Sequence, residues 1–203
     1  MSMDTRLIYL IDGATSEFVE AVLHLRLPAG RVFATEAVWK PHREALGDEI
    51  EHGHWDWHLK AELLVNPTTR CFAVECGEAI QGMLMLEEVG KVARHPAERG
   101  LPLVFVDYLE AAPWNVRAAV QTPIYRNAGI HLLRAAVLLS RELGYRGRVG
   151  LHSLPRAEGF YERGCGMFAI GQDPRYNGLM YYELTPELAD RLVEGGRNDS
   201  GRN

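Results

Sequence analysis

Three groups of residues have the types and spacing to do chemistry. The densest is EHGHWDWH at 51–58, which sets His52, His54, His58 and Asp56 beside Trp55 and Trp57. His54 and His58 stand at i, i+4 and would share one helix face, as zinc ligands do, with His52 or Asp56 near enough to join them. The glutamate of an HExxH site is missing and no partner motif occurs elsewhere, so no metal is expected. The plainer expectation is a core Trp57 with histidines at the surface. The second group is Asp107 and Glu110, two carboxylates within the apolar run 103–111, with Glu87 and Glu88 in reserve before them. Side chains alternate along a strand, so Asp107 and Glu110 point to opposite faces unless a bulge intervenes. The third is the turn Arg126-Asn127-Ala128-Gly129-Ile130-His131, which opens an apolar-periodic segment.

A scaffold must position these groups, and the chain signals one. Arg6 to Ile11 is predicted as a strand closed by Asp12-Gly13, followed by a helix capped by Ser16 that buries Phe18, Val19, Val22 and Leu23. The pattern weakens from Thr35 to Val65, where Trp57, Ala61 and Leu64 predict a helix over 54–64 that Asn66-Pro67 stops. Strands are expected over 71–76, 79–88 and 103–111, the first two as a hairpin through Gly77-Glu78. A helix from near Gly129 buries Leu132, Leu133, Ala136, Val137, Leu139, Ser140 and Leu143 and ends at Gly144. A strand at 149–152, a short helix at 156–163 and strands at 167–170 and 180–184 complete the order. This is an α/β chain with a mixed, mainly antiparallel central sheet and flanking helices, one helix crossing over between the Leu103 and Val149 strands.

The bulk properties bound the function. At 203 residues, 47% hydrophobic and 24% charged, the chain is expected to form a single domain over 1–194 around one core, with a disordered tail, GGRNDSGRN, at 195–203. A net charge of -5 argues against nucleic acid as a partner, although Arg141, Arg146 and Arg148 make a local basic cluster. Cys71, Cys76 and Cys165 are odd in number and contain no CxxC pair, which points to reduced structural thiols. The early apolar run, Leu7 to Ile11, is too short for a signal or membrane span, so a cytoplasmic protein with no membrane partner is expected.

Two segments carry a resemblance. The strand Val104–Ala111 followed by Arg126-Asn127-Ala128-Gly129-Ile130-His131 and Leu132-Leu133 resembles the strand, (Gln/Arg)-x-x-Gly-x-(Gly/Ala) loop and helix of the GCN5-related N-acetyltransferase (GNAT) superfamily. Residues 147–167, GRVGLHSLPRAEGFYERGCGM, resemble its later motif. The likeness covers roughly residues 71–185, with the N-terminal third matching in element order alone.

The resemblance implies a GNAT fold and an N-acetyltransferase that passes acetyl, or another acyl group, from acyl-CoA to a primary amine of a small molecule or peptide. CoA would be held by Arg126, Asn127, Ala128, Gly129, Ile130 and His131, because a helix N-terminus offers unpaired N–H groups and a positive dipole end to a pyrophosphate. His131 stands where the family has Gly or Ala, and its imidazole either crowds the phosphates or turns outward. The thioester would lie at the strand end, near Leu109 and Ala111, with the N–H of Leu109 or Glu110 facing the oxyanion. An amine of pKa about 10.4 must lose a proton before attack. Glu110 is favoured as that base because related enzymes often place a glutamate in this strand, and Asp107 is assigned to substrate contact. Tyr161 in Gly159-Phe160-Tyr161-Glu162 matches the tyrosine that protonates the departing thiolate. Trp55 and Trp57 fall where the family contacts its acceptor. The segment from Ala112 to Tyr125 is long enough to add a flap, and the last two strands offer an edge for homodimerisation. The alternative is a catalytically degenerate module that binds acyl-CoA or another protein. Polyamine, aminoglycoside, amino acid, peptide N-terminus and lysine side chain all remain open as acceptors.

Overall fold

The computed structural model describes residues 4–116 and 119–200, the last five as backbone. The chain divides into two compact units, Met1–Met85 with Tyr108–Leu132 and Leu86–Asp107 with Leu133–Asn203.

In the first unit, β1 (Thr5–Asp12) and β2 (Phe18–His24) form an antiparallel hairpin registered from Thr5↔His24 to Ile11↔Phe18. Asp12 Oδ1 accepts from the N–H groups of Ala14 at 2.9 Å and Thr15 at 2.8 Å, and Ser16 takes a φ of 63°. The helix expected from Ser16 is therefore a strand. A left-handed Ser16 cannot cap a helix from the extended conformation a cap needs, and Ala21 and Leu23 bury with a period of two.

Helix α1 (Ala29–Leu46) fills much of the stretch that looked disorderly. Its buried stripe is Val32, Thr35, Glu36, Trp39 and Arg43, helical in spacing but polar at three positions, so a search for apolar periodicity passes over it. Helix α2 (Trp57–Ala61) is capped by Asp56, whose Oδ1 accepts from the N–H groups of His58 and Leu59 at 2.8 and 3.3 Å. The strands β3 (Thr69–Cys76), β4 (Ala79–Val92) and β5 (Pro102–Ala111) follow, then the two-residue β6 (Tyr125–Arg126) and α3 (Ala128–Glu142). The strands neighbour one another in the order β6-β1-β2-β3-β4-β5. Leu27, Val32, Trp39, Trp57, Met83 and Met85 centre the core of this unit. Of the expected flap, the residues after Ala112 form a 3₁₀ turn at Pro113–Asn115 tied to Gln81 Oε1 through Trp114 Nε1 and Asn115 Nδ2; positions 117–118 lie outside the described residues.

In the second unit, β7 (Val149–Ser153) runs parallel to β5 from Val104↔Val149 to Val106↔Leu151, the pairing expected across a helical crossover. Strands β8 (Phe168–Asp173) and β9 (Leu179–Leu184) are antiparallel, giving the order β4-β5-β7-β9-β8. The sheet is thus mixed and mainly antiparallel. The short helix predicted at 156–163 is instead a 3₁₀ turn at Pro155–Ala157 and a π-helical turn at Phe160–Gly164. The tail expected to be disordered from 195 is, as far as Ser200, the end of α4 (Pro186–Ser200); Ala189 and Leu192 bury its first turns and Arg134 Nε donates to the Leu192 carbonyl at 2.9 Å. Positions 201–203 lie outside the described residues. Within the basic cluster, Arg148 is buried and paired with Glu98 at 2.9 Å, and Arg141 pairs with Asp190 at 2.5 Å. Among the described residues, no helix is long and apolar enough to cross a membrane.

Candidate active site

Glu110, near the end of β5, is the hub of a buried polar cluster in the first unit. It is 2% exposed. Arg43 Nη1 donates to its Oε1 at 3.0 Å and its Oε2 at 3.3 Å, Trp57 Nε1 donates to Oε2 at 2.5 Å, and His52 Nε2 lies 3.4 Å from Oε1. Arg43 Nη2 donates in turn to Glu36, also buried. Burial works against the charge on Arg43, but the two carboxylates outweigh it and hold the guanidinium's pKa above its ordinary value. The carboxylate favoured from the sequence as a proton acceptor is therefore enclosed by donors. The polar stripe of α1 is what encloses it.

Trp57 has its indole N–H on Glu110 and no exposed surface, so the acceptor contact expected of it has no area to act through. Trp55 is half-buried and stands edge-on to Tyr108 at 5.3 Å. The Lys60 ammonium lies over both rings, 4.1 Å from the Tyr108 centroid and 4.9 Å from that of Trp55. Burial lowers the Lys60 pKa from the usual lysine value and Arg43 adds to this, while Glu110 opposes it. The histidines separate: His52 tilts toward Trp55, His58 stacks on Phe33 at 4.1 Å and His54 is exposed. Among the described residues, no group of three or more His, Cys, Asp or Glu side chains is placed to hold a metal ion. Cys71, Cys76 and Cys165 are buried and free, and burial pushes the Cys71 and Cys165 thiols up to about 12, which leaves them unreactive.

The turn before α3 is built as a cradle. Asn127 has a φ of 76° and Ala128 begins the helix, so the first N–H groups of α3 have no carbonyl within the helix to bond. A Cβ on Gly82 of β4 would stand 3.1 Å from Leu132 Cδ1, 3.3 Å from Ala128 Cβ and 3.4 Å from the Glu110 carbonyl oxygen. Glycine there lets the first turn of α3 seat against β4 beside the end of β5. The His131 ring turns away from the turn: Nε2 lies 2.9 Å from the Tyr9 carbonyl of β1 and donates to it, since a carbonyl can only accept. Arg126 Nη2 donates to Ser16 Oγ at 2.9 Å, and its buried Nε has no partner among the described residues.

Leu109 and Ala111 flank Glu110 on β5 in the first unit, and Asp107 and Tyr161 lie in the second. Asp107 is half-buried, and burial, with Glu87 adding and Lys91 opposing, raises its pKa to about 7. A carboxyl so raised exchanges its proton near neutrality. Tyr161, on the π-helical turn, is buried against Phe160 and Tyr182, and burial raises its pKa so that it keeps its proton. Not foreseen is an open cleft of about 410 Å³ lined by Lys91, Arg94 and Arg175 and by the rings of Phe105, Tyr176 and Tyr181. His152 stacks on Tyr176 at 3.7 Å, and Asp173 takes Arg94 at 2.6 Å and His152 at 3.2 Å. These residues come from separate elements, β4 and the segment just after it, β5, β7, β8, β9 and the turn between the last two, with no shared motif, which hides them in sequence.

Neither a family profile nor a curated protein matches the chain. Solved structures do match. Mycobacterium smegmatis RimJ in complex with CoA-disulfide is 17% identical, with 96% of this chain and 95% of that chain covered, at a TM-score of 0.52. FeeM, an N-acyl amino acid synthase from uncultured soil microbes, is 15% identical, with 82% and 92% covered, at 0.55. The PaiA N-acetyltransferase of Thermoplasma acidophilum in complex with coenzyme A is 10% identical, with 80% and 97% covered, at 0.51. At such identities the likeness is one of fold, and the chain has the fold of the GCN5-related N-acetyltransferase superfamily.

Proposed function

We propose that the protein is an acyl-CoA-dependent N-acyltransferase that passes acetyl from acetyl-CoA to a primary amine of a small molecule or peptide. The observation that carries this reading is the seating of α3 by Gly82, which sets the unpaired N–H groups of its first turn beside the end of β5. In this reading the CoA pyrophosphate lies on the N–H groups of residues 128–130, the His131 N–H being taken by the Asn127 carbonyl at 3.2 Å. The thioester follows β5 past Leu109 to Ala111, and the N–H of Leu109 or Glu110 faces the oxyanion.

Asp107 takes the amine's proton, in place of the enclosed Glu110. A carboxylate of pKa about 7 is half in its basic form at neutral pH, whereas both oxygens of Glu110 already accept from Arg43, and Trp57 adds a donor to one. Tyr161, whose hydroxyl holds its proton, keeps its proposed role of acid on the likeness of its motif. The enclosure of Glu110 is also the observation that favours the second reading, a module that binds acyl-CoA without turnover.

Release of free CoA thiol from acetyl-CoA, followed over a panel of amines, separates the two. The transferase reading expects amine-dependent release. Saturable acetyl-CoA binding with no release for any amine supports the binding module instead.

A further inference from the structure

Lys60 lies in a setting that none of the roles above uses. Its ammonium lies over the edge-to-face pair of Trp55 and Tyr108, at 4.9 and 4.1 Å from their centroids, beside a cluster of two buried carboxylates and one buried guanidinium. Tyr108 immediately precedes Leu109–Ala111, the stretch of β5 along which the acyl thioester is proposed to lie. The chain contains only two other lysines. Lys40 sits 3.9 Å from Asp56 and Lys91 3.4 Å from Glu87, with side chains 55% and 37% exposed.

We infer that Lys60 is an acyl acceptor within the protein itself, acylated on Nζ by acyl-CoA bound in the same unit. The inference rests on the acyl-CoA reading proposed above. Three properties converge on this nitrogen. The aromatic pair fixes its position, so attack is intramolecular and avoids the entropic cost of bringing a separate amine to the thioester. Partial burial disfavours its charged form, which raises the fraction of neutral amine relative to an exposed lysine. The third is its place beside Tyr108, one residue from the proposed thioester path.

The step balances. Lys60 ammonium releases one proton to solvent, and the neutral amine attacks the thioester carbonyl carbon. The C–N bond forms and the C–S bond breaks, with the sulfur leaving with its electron pair. A second proton from nitrogen passes to the thiolate, giving an amide and CoA thiol. The product has lost the charge that held the side chain over the two rings, so acylation should also release it from the box.

The test incubates the purified full chain with acetyl-CoA, measures binding by calorimetry on the same sample, and maps acetyl groups by peptide mass spectrometry. The expected result is one acetyl group on Lys60, appearing more than about tenfold faster than on Lys40 or Lys91 and missing from K60R while acetyl-CoA still binds. Acetyl-CoA bound without acetyl on Lys60, or acetyl spread equally over the three lysines, would overturn the inference alone. No binding of acetyl-CoA would overturn it together with the reading on which it rests.

Discussion

Replacing Asp107 with asparagine isolates the charge proposed to accept the amine's proton. Burial raises the pKa of its carboxyl to about 7, from an ordinary value of 3.8. Between those values the unfolded chain has given up a proton that the native state keeps. Stability therefore falls as pH rises through that window, by about 1.36 kcal/mol per pH unit, and is flat above it. Across about three units the limit is roughly 4 kcal/mol, and residual water around a half-buried carboxyl brings the expected value to about 2–4 kcal/mol. Asparagine has nearly the same shape and does not titrate. Urea denaturation of D107N and wild type should thus agree near pH 4 and diverge upward, with the variant more stable above about pH 7. The same variant should lose about 100-fold or more in kcat, along with the rise of kcat through about pH 7. Parallel stability curves at every pH would refute the placement of Asp107, and an unchanged kcat would refute its role.

Other perturbations test neighbouring parts. Arg43→Met leaves Glu36 and Glu110 buried without their cation and should cost about 3–5 kcal/mol in denaturant unfolding, most of it recovered when E36Q and E110Q are added; a loss below about 1 kcal/mol would show the cluster to be dispensable. Glu87→Gln removes a like charge beside Asp107 and should move the midpoint of its carboxyl titration, followed by NMR, to lower pH; a midpoint that stays in place would mean burial acts alone. Tyr161→Phe should slow thiol release about tenfold or more without changing acetyl-CoA affinity, and equal rates would take Tyr161 out of the mechanism.

Much of the sheet was legible because its strands carry clean apolar runs: β3, β4, β5, β7 and β9 fall within a few residues of where the sequence places them. The first hairpin was not. Phe18, Val19, Val22 and Leu23 fit a helical face as well as a strand, and what decides is the turn at Asp12, whose side chain folds the backbone into a hairpin. Helix α1 was hidden by its own polar positions, since Glu36 and Arg43 occupy its buried stripe. Pairing explains both: charges enter a core only when they meet partners, and the partner of Arg43 is 67 residues away on β5. The turn before α3 was legible as a local motif. The outward turn of His131 depends on the Tyr9 carbonyl, 122 residues distant, and could not be. The pKa of Asp107 likewise follows from burial and from Glu87 on another strand rather than from any local pattern.

Binding of acyl-CoA at the turn before α3 is tested most directly by a calorimetric titration of acetyl-CoA into wild type and Gly129→Asp. An acidic residue in the first turn of α3 suits the helix dipole, so the fold should survive, while its charge opposes a phosphate held on the same N–H groups. Wild type should bind saturably, with a thermal stabilisation of about 2.7 kcal/mol at 100 times the dissociation constant, and the variant should lose both. Binding of equal strength by Gly129→Asp, or no binding by wild type at millimolar acetyl-CoA, would contradict binding at that turn.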